Sequence, residues 1–384
     1  MRLAMGRFSF AVAALAVVFA FDISAASGQV NCNDVVSTKV AMTTDLVCGG
    51  NPGFTVNGGG AVDMAGYQLT ACAGCTGVAL VGQAAQLSNG SIVGSGAGSV
   101  GVSLGGSGKH QVAHVTVTGA ETGFGGSSGS NKLKNNTAYG ASTGFSLTGD
   151  KNALGRNHSS GSTFANFIVI GDSNNLTENT SAATTGAASG GIYVSGNANK
   201  LNRNVSNGDQ AAGSALAVGG NENKLNLNTV SGSAGLGGLL VFGNENKLIK
   251  SVAVDNAGVG IGISGNLNKL TSNAAYDNQL SGIDIAGNGN SINASNSSNN
   301  VESGINVPSG DANSFKSNVV MHNTLHGIFL FGGVTNSSLS KTVALENVDD
   351  DLRDDNANCG SNVWAMSVFR TSEVAGFPSL GCIQ

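Results

Sequence analysis

Five polar residues recur at one place in a repeating sequence: Asp255, Asp277, Asn299, His322 and Glu346, each directly before an asparagine. Asp284 and His326 follow within a few residues of two of them. Carboxylates near an imidazole are the groups that acid–base chemistry on sugars needs. In that reading Asp255, Asp277, His322 and Asp284 are the catalytic candidates. One aspartate would be the general acid or a cation ligand, and His322 the base that takes a proton from a sugar ring. Polar turn corners would produce the same pattern with no chemistry at all. The choice depends on where the chain places these positions.

The elements that place them are written in a repeated phrase. GNENKLNLN begins at Gly220 and GNENKLIKS at Gly243. Related copies begin at Gly149, Gly171, Gly196, Gly265, Gly287 and Gly310. Their apolar members, from Leu133 through Leu225 and Leu248 to Phe315, are spaced 21 to 25 residues apart. A fixed period of this size means a solenoid. Before most phrases stands a second apolar pair in period-two alternation, such as Leu216 and Val218 or Ile283 and Ile285. That alternation is a strand signature, and no segment carries a 3.6-residue apolar stripe. The expected fold is all-β: a right-handed parallel β-helix of about a dozen coils, stacked at the ordinary strand spacing of about 4.8 Å.

Stacking puts equivalent residues directly above one another, which explains the asparagines. One column holds Asn199, Asn223, Asn246, Asn268 and Asn290, and extends from Asn131 to Asn313. A second runs from Asn136 to Asn318, with Ser251 and Ser295 in two gaps, and a third from Asn256 to Asn347. An amide side chain both donates and accepts, and asparagine tolerates the left-handed backbone of sharp turns. Structural ladders are therefore expected here rather than rows of ligand groups. Arg156, Glu178, Arg203 and Lys250, interrupted by Leu227, read as an ordinary solvated face.

The coil phrase G-[D/N]-x-N-x-L-x-x-N, with the carboxyl-end stretch NCGSNVW at Asn358–Trp364, resembles the parallel β-helix repeat proteins of the pectin-lyase-like superfamily. The resemblance covers most of the chain after its first residues. It implies a polysaccharide or cell-surface glycan as partner, but not one activity, because the superfamily holds lyases, hydrolases, epimerases, adhesins and structural spikes. Leu325-His326-Gly327 stands where a polygalacturonase-like hydrolase would show Gly-His-Gly, and no Asp-Pro-His-Asp segment of the alginate-epimerase kind is present. The reading that follows is a noncatalytic glycan-binding or surface-structural protein. The alternative is a polysaccharide lyase, epimerase or hydrolase acting on the outer face. No cofactor is expected. The group Asp349, Asp350, Asp351, Asp354 and Asp355 could accept Ca2+, although a solvated acidic turn is the favoured reading.

Arg2 and Arg7 precede an apolar run from Phe8 to Phe21, followed by small residues to Gly28. This is a secretory signal peptide over residues 1–26, and the run is too short to span a bilayer comfortably. Residues 27–75 are expected to form an amino cap and first coil, 76–345 the repeats and 346–384 a carboxyl cap. Phe54, Val56, Val62, Met64 and Leu69 would cover one end, and Trp364, Val368 and Phe369 the other. The six cysteines suit an oxidising compartment, and proximity pairs them Cys32–Cys48, Cys72–Cys75 and Cys359–Cys382. A net charge of −5 without basic clusters argues against nucleic acid. Only 11% of residues are charged and 59 are glycine, a composition that can mean disorder, but the periodic apolar positions oppose that. The protein is expected to be a monomer, secreted to the extracellular space or periplasm. Amino-terminal sequencing of the exported protein should find a chain beginning after Ala26 or Gly28, and a chain starting at Met1 would overturn the leader.

Overall fold

Most coils are built from three short strands joined by tight turns (Gln86–Ser95 and Gln111–Thr118 each fuse two of them). In the unit that begins at Gly220 they are Lys224–Asn226, Thr229–Ser231 and Gly237–Phe242. Each pairs in parallel with its counterparts in the coil before and the coil after, Leu225 lying between Leu201 and Leu248. This is a computed structural model, and it describes residues 29–186, 190–210, 213–374, 377–378 and 383. The parallel stack has about 15 turns, or roughly 70 Å at the strand spacing. The long sheet carries Gly237–Phe242 and its counterparts in the other coils, and the remaining strands form the rest of the wall.

The stack is longer than the expected dozen coils because the expected caps are themselves coils. Val35–Val36 pairs in parallel with Phe54–Val56, which pairs with Thr76–Leu80. At the other end Leu352–Asp354 lies between Ile328–Leu330 and Ser372–Val374. These coils lack the asparagine phrase, so periodicity does not reveal them. Phe54, Val62, Met64 and Leu69 are core residues of their own turns. Trp364 is buried beneath Leu339 and Phe369 packs partly buried against the core, whereas the Val368 side chain is exposed. The cysteine bridges Cys32–Cys48 and Cys72–Cys75 form with Cα separations of 5.4 and 5.2 Å. Cys359 is disulfide-bonded; Cys382, its expected partner, lies outside the described residues, as does the leader. No helix among the described residues is long and apolar enough to cross a membrane.

Most letters of the phrase have a structural duty. Gly220 has φ +112°, and a Cβ there would sit 2.2 Å from the carbonyl oxygen of Gly196. The glycine column thus allows backbone to lie on backbone. The next residue, Asn221, belongs to an exposed ladder: its Oδ1 accepts from the backbone N–H of Asn244, and Asn197 accepts from Asn221. Glu222 takes the left-handed turn, φ 58°. Asn223 is buried, Lys224 points out, Leu225 enters the core, and Leu227 makes a second left-handed turn before the buried Asn228.

The first buried column is a continuous chain of hydrogen bonds. Asn199 N–H donates to Oδ1 of Asn223 at 2.8 Å, Asn223 to Asn246 at 2.8 Å, and Asn246 to Asn268 at 2.9 Å. The backbone donors of the column all point toward the carboxyl end, so it needs an acceptor where it stops. It passes through Asn313, Ser337 and Asn362 and ends on Asp354, whose Oδ2 accepts from Asn362 Nδ2 and from the Trp364 indole, both at 3.0 Å. The third column ends likewise. Asn347 gives both its backbone N–H and its amide to Asp351 Oδ1, at 3.1 and 2.9 Å. Asp351 and Asp354 are 1% and 0% exposed. The expected solvated acidic turn is therefore divided: two of its five carboxylates are buried ladder ends, where charge-assisted bonds are strong.

Two outcomes follow from this bonding. Asn223→Ala leaves the buried Asn199 N–H without its acceptor and should cost about 1–3 kcal/mol in denaturant unfolding. Asp351→Ala should cost more, because it strands the Asn347 donors together with the backbone N–H groups of Arg370 and Thr371. An unchanged midpoint in either variant would show that the ladders do not hold the fold.

Candidate functional site

The first candidate column forms as a column. The backbone N–H of Asp255, Asp277, Asn299 and His322 each bonds the carbonyl just before the next member, at 3.1–3.3 Å. All five residues have φ between 55° and 59°. They are the left-handed corners that turn the chain so that the following asparagine can point inward. Their side chains are exposed in single file, so Asp255 and His322, three rungs apart, are separated by roughly 14 Å of stack. His322 Nε2 lies 2.7 Å from Glu346 Oε2, and Arg370 lies 3.4 Å from the other oxygen. This is an exposed ion-pair chain of small energetic weight. Asp284 stands on the far side of the corner, in the long sheet, where Asn306 Nδ2 donates to it at 3.2 Å. Burial pushes its carboxyl above the usual carboxylate range, and the Asn306 bond opposes the shift.

Asp284 begins an outward row on successive strands: Asp284, Asn306, Phe329, Arg353 and Glu373. Arg353 lies over the Phe329 ring at 5.2 Å and pairs with Asp355 at 2.9 Å and Glu373 at 3.5 Å. Beside it His326 is buried, with Nδ1 3.7 Å from Asp350. Burial, then the Arg353 charge, holds that imidazole below its usual value. The Asp350 carboxyl is pushed up to about 6, first by burial and then by its hydrogen bond to Glu373. A carboxyl raised toward neutral pH has the character of a general acid. The sequence concealed this pair because the last coil lacks the phrase that would align Glu373 with Asp350. Among the described residues no three His, Cys, Asp or Glu side chains are grouped to hold a metal ion.

A second outer face carries a feature that sequence reading passed over. Lys200, Lys224, Lys247 and Lys269 stand directly above one another on four successive strands. All are exposed. A groove of ≈ 590 Å³ runs along one side of this row, bounded by the corner residues Ala198, Glu222, Glu245 and Leu267. A second of ≈ 330 Å³ lies on the other side, between the lysines and Thr177, Asn202 and Asn226. There Asn226 Nδ2 donates to Asn202 Oδ1 at 2.8 Å. The lysine was visible as the fifth letter of GNANK, GNENK and GNLNK, but the asparagines around it drew the structural explanation.

Residues 214–365 match the family model described as right handed beta helix region. The coils before and after that stretch continue the same parallel register, so the described chain has the parallel β-helix fold on both sides of the matched region. Similar solved structures include a mutant of the periplasmic alginate epimerase AlgG, at 12% identity and TM-score 0.40 over 83% of this chain and 76% of that one. The A-module of the Azotobacter vinelandii mannuronan C-5 epimerase AlgE6 gives 11% and 0.37 over 89% and 90%. The catalytic domain of a GH87 α-1,3-glucanase gives 13% and 0.44 over 72% and 60%. No curated protein sequence matches the chain.

The Asp350 carboxyl generates a pH test. An acid whose pKa is about 6 in the fold and ~3.9 unfolded costs stability once ionised. Its contribution is therefore best at low pH and declines as pH rises from ~4 through ~6. Asp350→Asn removes this titration. Wild-type protein should lose urea stability relative to the variant on going from pH ~4.5 to ~7, and a pH-independent difference would show that Asp350 is not perturbed.

Proposed function

We propose that the protein is a secreted, monomeric, noncatalytic glycan-binding β-helix, which holds a polysaccharide along the face between Asn175 and Gly289. The supporting observation is the pair of parallel grooves on that face. Their linings repeat with the coils: amides at Asn202 and Asn226, a hydroxyl at Thr177, ammonium groups between. A polymer of hydroxylated rings meets donors and acceptors on three successive coils, at Thr177, Asn202 and Asn226, before Ile249 interrupts the row. The grooves are open and shallow, as suits a chain that lies across many coils rather than one residue held in a deep pocket. The bonded cysteines accord with an oxidising exterior.

The enzymatic reading keeps one specific observation in its favour, the raised Asp350 carboxyl beside Glu373 and His326. The column Asp255, Asp277 and His322 supports it less, because exposed groups in single file approach a sugar from one side only. Purified protein should be screened against pectin, alginate, chondroitin and neutral glycans, with bound mass and new reducing or unsaturated ends read together. Binding without turnover is the expected outcome. Turnover that disappears in Asp350→Asn or Asp277→Asn would overturn the noncatalytic reading.

A further inference from the structure

The lysine row is not something the fold requires. The same outward strand position is Ala153 and Asn175 in the coils before it and Ser291 in the coil after. Uncharged residues therefore serve the coil equally well. Four like charges on adjacent strands, each opposite the next, are unfavourable for the isolated sheet. Only Glu222 and Glu245 line the same groove, which leaves the row with two charges in excess (four lysines less two glutamates). Among the described residues none of the four lysines is in an ion pair. The chain as a whole is acidic, at −5, so this stripe is a local reversal of sign.

We infer that the row is the binding line for an acidic linear polysaccharide, one carrying a carboxylate or sulfate on successive sugar rings and running parallel to the axis of the rod. This rests on the glycan-binding reading above and names the class of glycan. The physical warrant is commensurability. Coils repeat every 4.8 Å or so, close to the length of one ring in an extended glycan, so each anion of the polymer meets one ammonium group. The lysines stand on a rigid wall at a fixed spacing, which lowers the ordering cost of binding. Glu222 and Glu245 border the row on one side only, while on the other side Asn202 and Asn226 border its first half, beside Lys200 and Lys224, and Ile249 and Thr271 its second. The charged groups of the polymer are thereby held over the lysines, with the ring hydroxyls toward Asn202 and Asn226. Duplex nucleic acid, with a charge per ~1.7 Å of axis, does not match the spacing.

The test uses the mature full-length protein and four probes: polygalacturonate, fully methyl-esterified pectin, dextran and single-stranded DNA. Titration calorimetry at low and at physiological salt is compared for wild type, for the double variant Lys224→Gln/Lys247→Gln, and for Lys341→Gln, which lies off the row. Thermal melts confirm that these exposed substitutions leave the fold intact. Polygalacturonate should bind wild type and Lys341→Gln alike. The double variant should lose tenfold or more, with the slope of log K against log salt lowered by about one per lysine. Equal binding of dextran or esterified pectin, unaffected by salt or by the double substitution, would overturn the lysine assignment and leave the glycan-binding reading standing. Single-stranded DNA bound as tightly as polygalacturonate would overturn the polysaccharide assignment. No binding to any of the three glycans would overturn both readings.

Discussion

A hydrogen bond from each coil to the next, made by a buried asparagine, is the constraint on which this molecule depends. A buried backbone N–H without a partner is costly, so each coil that carries the phrase must present an asparagine Oδ1 at the same place. The chain obeys this in its spacing. From the first column to the second is always five residues, as in Asn131 to Asn136 and Asn313 to Asn318. Variation in coil length falls in the remaining part of the turn, outside the two columns. Register is thereby fixed at one corner while the opposite loops are free to change.

A directional ladder also has to end. The first column starts where the Ala85 N–H donates to His110 Nδ1, at 3.2 Å, and His110 N–H donates to Asn131. It finishes on the Asp354 carboxylate, and the third column finishes on Asp351. Chains of aligned hydrogen bonds polarise one another, and an anion at the donor end answers the accumulated polarity. The exposed ladder through Asn197, Asn221 and Asn244 runs the other way, each amide accepting from the coil that follows. The acidic carboxyl-end segment is thus partly an architectural device, and its outward members Asp350 and Asp355 belong to a different surface from its inward ones.

Because the interior is occupied by ladders and aliphatic stacks, function is left to the outward positions. These come in two kinds. Corner residues such as Asp277 and His322 must first adopt a left-handed backbone, which asparagine and aspartate tolerate well, although Leu227 and Leu267 fill other left-handed corners. Outward strand residues carry no such demand. A long run of one residue type there, as in Lys200, Lys224, Lys247 and Lys269, reports something other than folding. That distinction favours the lysine face over the aspartate column as the place where a partner is recognised.

The parallel coils, the three short strands per turn and the burial of the asparagine columns were legible in the sequence, because a solenoid repeats its local constraints along the chain. The two amino-terminal disulfides were legible because their cysteines are near in sequence. The candidate column was legible only as a column. Whether its members converge depends on the direction each corner faces, and the common left-handed φ sets them in single file. The terminal coils were hidden because they keep the backbone path without the phrase, their pairing carried by residues such as Phe54 and Leu352. The pairing of Asp350 with Glu373, the burial of Asp351 and Asp354, and the grooves beside the lysines were decided by tertiary structure alone. Each depends on which coil lies above which at the irregular end, or on the shape left between neighbouring side chains, and a one-dimensional period encodes neither.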